Sequence, residues 1–106
     1  MKFEHFALNV PDAPAHAQWY VRHLGFSIAR RREDAPFTHF LADETGRTIV
    51  ELYTLPTSTI PDHAAAHPRS FHLAVVAAVA LAERARLVQA GARLFLDEAQ
   101  PDGTLL

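Results

Sequence analysis

Two histidines and one glutamate carry the chemistry that can be read directly from this chain. His5 opens the stretch His5-Phe6-Ala7-Leu8-Asn9-Val10, and His72 opens His72-Leu73-Ala74-Val75-Val76. Both stretches are apolar and strand-like, both lead into an alanine-rich helical segment, and those segments stop at Gly25 and Gly91 respectively. The offset is 67 residues for the histidines and 66 for the glycines, so the register of an internal repeat survives a whole strand and helix. Between the copies, Glu51 sits in Val50-Glu51-Leu52-Tyr53, a carboxylate within β-rich sequence. Two imidazoles and a carboxylate at equivalent ends of a duplicated unit are what a metal site at a pseudo-twofold interface needs. Such a set leaves positions open on a divalent ion for water or a chelating ligand, and the ion then works as a Lewis acid.

Bulk properties narrow the field. A chain of 106 residues has room for one modest domain. With 49% hydrophobic and 21% charged residues and a net charge of −2, it offers no field to collect phosphates, which argues against nucleic acid as a partner. No cysteine is present, so disulfides, zinc fingers and thiol redox chemistry are excluded and any site must use imidazole and oxygen. No apolar run approaches the roughly 20 residues of a membrane span, and Met1-Lys2-Phe3-Glu4 places an acid where a signal peptide has its hydrophobic core. The expectation is a soluble, cytoplasmic protein with no membrane partner.

The elements that must position these residues follow from periodicity and punctuation. Residues 3–10 form a strand closed by Pro11, and Asp12 caps a helix over residues 13–23 in which Pro14 is tolerated in the first turn. Ala17, Tyr20, Val21 and Leu24 recur at helical spacing, and Gly25 ends the helix. Residues 26–30, 37–42 and 48–53 alternate as strands, the last two joined by the turn Asp43-Glu44-Thr45-Gly46-Arg47. This first β-α-β-β-β unit spans residues 1–54. Residues 55–69, with Pro56, Pro61 and Pro68, are a linker. In residues 70–106 the second unit restarts, with a strand over 71–76, a helix over 79–89 with Leu81, Ala82, Ala85 and Val88 on one face, Gly91 as its cap and a strand over 92–96. Pro101-Asp102-Gly103 is a turn, and Thr104-Leu105-Leu106 begins a strand, so by its own repeat the second unit lacks most of its final hairpin.

A paired β-α-β-β-β arrangement with these residues resembles the vicinal oxygen chelate (VOC) superfamily, the glyoxalase, bleomycin-resistance and extradiol-dioxygenase group. The resemblance rests on His5-Phe6-Ala7-Leu8-Asn9-Val10, on Trp19-Tyr20 with His23-Leu24-Gly25-Phe26, on Val50-Glu51-Leu52-Tyr53 and on Phe71-His72-Leu73-Ala74. It spans nearly the whole chain, and the Tyr-x-x-x-Leu-Gly-Phe pattern of Tyr20 to Phe26 is its most specific part. The resemblance implies an α+β fold in which paired βαβββ modules curl into an open barrel-like sheet around a divalent metal, chelated in turn by vicinal oxygens of a substrate. It places His5, Glu51 and His72 at three metal-ligand positions. The fourth, usually a glutamate on the last strand of the second unit, has no counterpart here. The order histidine, glutamate, histidine favours the glyoxalase pattern over the ring-cleaving one, and Glu51 could be ligand, catalytic base or both.

The expected function is a metal-dependent lyase or isomerase of glyoxalase type acting on a small molecule, with zinc, nickel, manganese or iron as cofactor. The runner-up is a non-catalytic sequestering module of the bleomycin-resistance kind, gripping a planar compound with aromatic side chains and no metal, and an oxygenase like the extradiol dioxygenases is a further alternative. An exposed sheet edge and apolar surface point to a homodimer. Other residues carry plainer expectations. His63 and His67 read as solvated linker residues, His16, His23 and His39 as structural, Tyr20 as core and Trp19 as packing. Arg30-Arg31-Arg32 has the charge to face an anionic substrate, but the run reads first as a solvated strand end ahead of Glu33-Asp34.

Overall fold

The computed structural model describes residues 1–95. The chain divides into two compact units, Met1–His67 and Pro68–Leu106. Among the described residues the fold is α+β, with two helices and one four-stranded mixed sheet that does not close.

The first unit is the β-α-β-β-β arrangement that periodicity predicts: β1 (Phe6–Asn9), α1 (Ala13–Leu24), β2 (Ser27–Arg31), β3 (His39–Ala42) and β4 (Thr48–Tyr53). The sheet order is β1-β4-β3-β2, with β1 parallel to β4 and the other pairs antiparallel. Asp12 caps α1 through its carboxylate, which accepts from the Ala15 amide at 3.1 Å, and Pro14 sits in the first turn where its missing N–H is not needed. Gly25 ends the helix at φ +71°, a left-handed conformation that only glycine adopts without cost.

Alternation sorts the sheet residues onto two faces. In register, Leu8 pairs with Leu52 and Leu52 with His39, while Phe6 pairs with Val50 and Val50 with Leu41. Leu41, Val50 and Leu52 are fully buried together with Val10, Ala13 and Ala17, so the core lies between this face and α1. The other face carries Ala7, Glu51 and Phe40 side by side. In the turn between β3 and β4, Asp43 accepts from the Thr45 amide at 3.0 Å, and Gly46 takes φ +81°.

Residues 55–63 form no regular element, as the prolines predict, yet they are not loose. Asn9 donates to the carbonyls of Leu55 (3.0 Å) and Thr59 (3.2 Å) and accepts from the Leu55 amide (2.9 Å). His63 donates from Nε2 to the Asn9 carbonyl at 2.9 Å, so this exposed side chain is anchored rather than simply solvated. The loop before β3 contains a cis Ala35-Pro36 bond, and Phe37 follows at φ +58°.

In the second unit the helix is where it is expected, as α2 (Ala80–Gln89), with Gly91 at φ +110° just beyond its end. The strand expected over residues 71–76 is absent, and residues 92–95 are likewise irregular. A strand is held by its ladder rather than by the propensity of its own residues, and neither segment forms a strand among the described residues. Phe71, Val75, Val76, Leu94 and Phe95 are correspondingly exposed, and so are Leu81 and Val88 of α2. Leu96, the 101–103 turn and the 104–106 strand lie outside the described residues.

Candidate functional site

The site is built on the sheet face away from α1. His5 precedes β1, and Glu51 lies within β4; the parallel pairing of Ala7 with Glu51 brings the two strands together at this point. Nε2 of His5 lies 3.1 Å from Oε2 of Glu51. Because a carboxylate can only accept, Nε2 carries the proton in this pair. Both side chains are partly sheltered, at 22% and 23% exposure, so neither points freely to solvent. The alternative partner for Glu51, Arg47, is engaged elsewhere, donating to the Phe3 carbonyl.

The opposite side of the His5 ring is less settled. Nδ1 is buried without a hydrogen-bond partner, and the Glu4 carboxylate approaches it at 3.5 Å without completing a bond. Phe40 packs edge-on against the imidazole, with ring centroids 5.6 Å apart. These features suit a metal ligand. Two donors bound to one ion at about 2.0–2.2 Å each stand roughly 3 Å apart, which is the separation of His5 Nε2 and Glu51 Oε2. When Nε2 gives up its proton to become a donor, Nδ1 takes the proton, and Glu4 is the carboxylate placed to accept from it.

His72, the third residue of the expected set, belongs to the second unit. Its Nδ1 donates to the Pro68 carbonyl at 3.0 Å, and the side chain is exposed. A carbonyl on Nδ1 fixes the tautomer with a lone pair on Nε2, the arrangement that metal-binding histidines commonly use. Within the first unit His5 and Glu51 are the pair brought together; among the described residues no group of three or more histidine, aspartate or glutamate side chains stands close enough to hold an ion.

Beside Glu51 the same face opens into a depression of about 330 Å³ lined by Arg30, Arg31, Arg32, Thr38, Phe40 and Glu51. The three arginines are not equivalent. Arg31 pairs with Glu33 at 2.9 Å and Arg32 with Asp34 at 2.7 Å, as expected of a solvated strand end, whereas Arg30 lies over the Phe40 ring, 4.8 Å from its centroid. The Arg32 pairing holds the Asp34 carboxyl below its ordinary pKa.

His39, His16, Trp19 and Tyr20 make packing contacts, with Trp19 and Tyr20 half-buried rather than in the core. His39 is buried on the α1 side of the sheet and donates from Nδ1 to the Phe37 carbonyl at 2.6 Å. His16 packs edge-on to Tyr20, Tyr20 to Phe26, and Trp19 against His23. Burial lowers the His16 pKa, with repulsion from His63 adding to it, and burial raises that of Tyr20.

Sequence reading missed Phe40 and Thr38 as lining residues and favoured a solvated strand end for Arg30. A signal existed in the alternation of β3, where Phe40 falls between His39 and Leu41, but the register that sets it beside Glu51 is a property of the paired sheet.

No helix of the described residues is long and apolar enough to cross a membrane. No curated protein and no solved structure matches the chain. The family model of the Glyoxalase/Bleomycin resistance protein/Dioxygenase superfamily, whose members commonly use a divalent metal, matches residues 2–98. With its β-α-β-β-β unit and open sheet face, the chain belongs to the Glyoxalase/Bleomycin resistance protein/Dioxygenase superfamily, the VOC superfamily.

Proposed function

We propose that this protein is a metal-dependent small-molecule enzyme of glyoxalase type, a lyase or isomerase, with His5, Glu51 and His72 as ligands of a divalent ion. The observation that carries the proposal is the His5–Glu51 pair, joined at 3.1 Å on the open face of the sheet beside a depression large enough for a small ligand. The bound ion would supply Lewis acidity toward vicinal oxygens of the substrate. Glu51 has two capacities there, since one carboxylate oxygen can serve as ligand while the carboxylate as a whole can take a proton from carbon beside a carbonyl. Before an ion binds, the hydrogen bond from His5 Nε2 positions the Glu51 carboxylate, and Phe40 restricts the imidazole from the side. Exposed apolar side chains of the second unit, among them Val75, Val76 and Leu81, support a homodimer.

A second reading, a sequestering protein that binds a planar compound without metal, is favoured by one feature: His5 Nε2 and the Glu51 carboxylate are paired directly with each other. Elemental analysis separates the two. The chelator-washed protein is reloaded with Zn, Ni, Mn or Fe(II), alongside His5→Ala, Glu51→Ala and His72→Ala variants. About one ion per chain in the wild type, lost in each variant, is the expected result; no retained ion in the wild type overturns the enzyme reading and leaves the sequestering one.

A further inference from the structure

Arg30 reaches the open face because β2 is irregular. Ile28 pairs with Leu41, on the α1 side of the sheet, and two residues further on regular alternation would set Arg30 against His39 on that same side. A register shift between Ile28 and Arg30 sets Arg30 opposite Phe40 instead, and Phe40 in turn pairs with Glu51. One extra residue in the strand thus turns the guanidinium from the core side to the site side, a recurrent use of β-bulges.

The position it reaches is electrostatically unusual. Arg31 and Arg32 carry their own carboxylates, Glu33 and Asp34, whereas Arg30 makes no salt bridge among the described residues. Its contact with the Phe40 ring fixes the place of the cation but offers its N–H donors no oxygen acceptor. Phe40 also touches His5, so Arg30, Phe40, His5 and Glu51 form a contiguous row across β2, β3, β4 and the start of β1. The negative charge at the far end of the row is engaged by His5.

We propose that Arg30 is a specificity-determining residue that takes the carboxylate of a small-molecule ligand lying in this depression, with the ligand's remaining oxygens directed to His5 and Glu51. A guanidinium fork matches a carboxylate with two parallel N–H to oxygen bonds, which makes the subsite selective for a carboxylate over a neutral group of the same shape. The proposal rests on the metal-site reading for the far end of the ligand, but the carboxylate subsite itself is tested independently of it.

The test compares benzoate with benzamide, which are isosteric and differ in charge. Their affinities are measured by calorimetry and by amide chemical-shift titration on metal-free and metal-loaded protein, for wild type, Arg30→Gln, Arg30→Lys and Arg22→Gln. Arg22, on α1, controls for the loss of one positive charge away from the depression. The expected result is benzoate binding at least tenfold tighter than benzamide, a preference abolished in Arg30→Gln, partly kept in Arg30→Lys and unchanged in Arg22→Gln. No preference in the wild type, a preference that survives Arg30→Gln, or one lost equally in Arg22→Gln overturns the proposal. Metal content is determined on the same samples. Protein that takes up no metal yet keeps an Arg30-dependent preference refutes the metal reading and supports the subsite, and protein that binds metal without the preference does the reverse.

Discussion

His5 and Glu51, 46 residues apart in the chain, meet at 3.1 Å because β1 runs parallel to β4 and sets Ala7 against Glu51. The pair is partly sheltered, at 22% and 23% exposure, rather than fully buried, so its contribution to stability is small. Glu51→Gln preserves size and hydrogen bonding and removes the charge. It is expected to change unfolding free energy by less than about 1 kcal/mol and to weaken divalent-metal uptake at least tenfold, measured by denaturant titration and metal-competition assay on the same preparation.

Removal of the ion is the complementary test. On the proposed glyoxalase-type function, prolonged chelator treatment of wild type is expected to abolish turnover of α-oxoaldehyde adducts, with restoration by one equivalent of a divalent ion in wild type but not in His5→Ala, Glu51→Ala or His72→Ala. Activity that persists through chelation contradicts it.

Asn9 closes residues 55–59 onto the end of β1 with three hydrogen bonds. At roughly 1 kcal/mol per bond, Asn9→Ala is expected to cost about 3 kcal/mol in urea denaturation. Asn9→Asp keeps the acceptor for the Leu55 amide but sets a carboxylate against two carbonyls, and it is expected to cost at least as much. Limited proteolysis should cut both variants faster between residues 55 and 67.

Leu52 is fully buried between the sheet and α1, flanked in register by Leu8 and His39. Leu52→Ala leaves a cavity at the centre of the first unit and is expected to destabilise it by about 2–5 kcal/mol, read from the shift of the denaturation midpoint at constant slope.

His16 gives the fold a pH dependence of definite sign. Burial, with the nearby His63 adding repulsion, lowers its folded pKa below the ordinary histidine value, so the unfolded chain binds the proton more readily. Its stabilising contribution is present in full above about pH 6.5 and is lost as pH falls from there toward the folded pKa. The wild-type melting temperature is expected to decline through this window, and His16→Gln to flatten the decline. An unchanged profile in the variant would assign the effect to other groups.

Much of the first unit was legible in the sequence because its cues are local. Asp12 and Gly25 bracket α1 by capping chemistry, Gly46 and Asp43 make the hairpin turn, and apolar alternation marks β3 and β4 within a residue or two. The candidate pair His5 and Glu51 was legible for the same reason, each standing in a β-rich stretch. The cues that failed were also local: residues 71–76 have strand composition, yet composition supplies no ladder partner.

What the sequence by itself determined, then, is the order of elements in the first unit, the positions of both helices, the donor types available for a site and the superfamily to which the repeat belongs. What only the tertiary structure decided is who stands beside whom. The parallel pairing of β1 with β4 joins His5 to Glu51, and Asn9 turns a proline-rich linker into an anchored loop. The register shift in β2 moves Arg30 from a solvated run to the rim of the site. The physical reason is that side-chain direction in a sheet alternates with every residue, so a one-residue change in pairing, invisible to composition or periodicity, exchanges one face for the other.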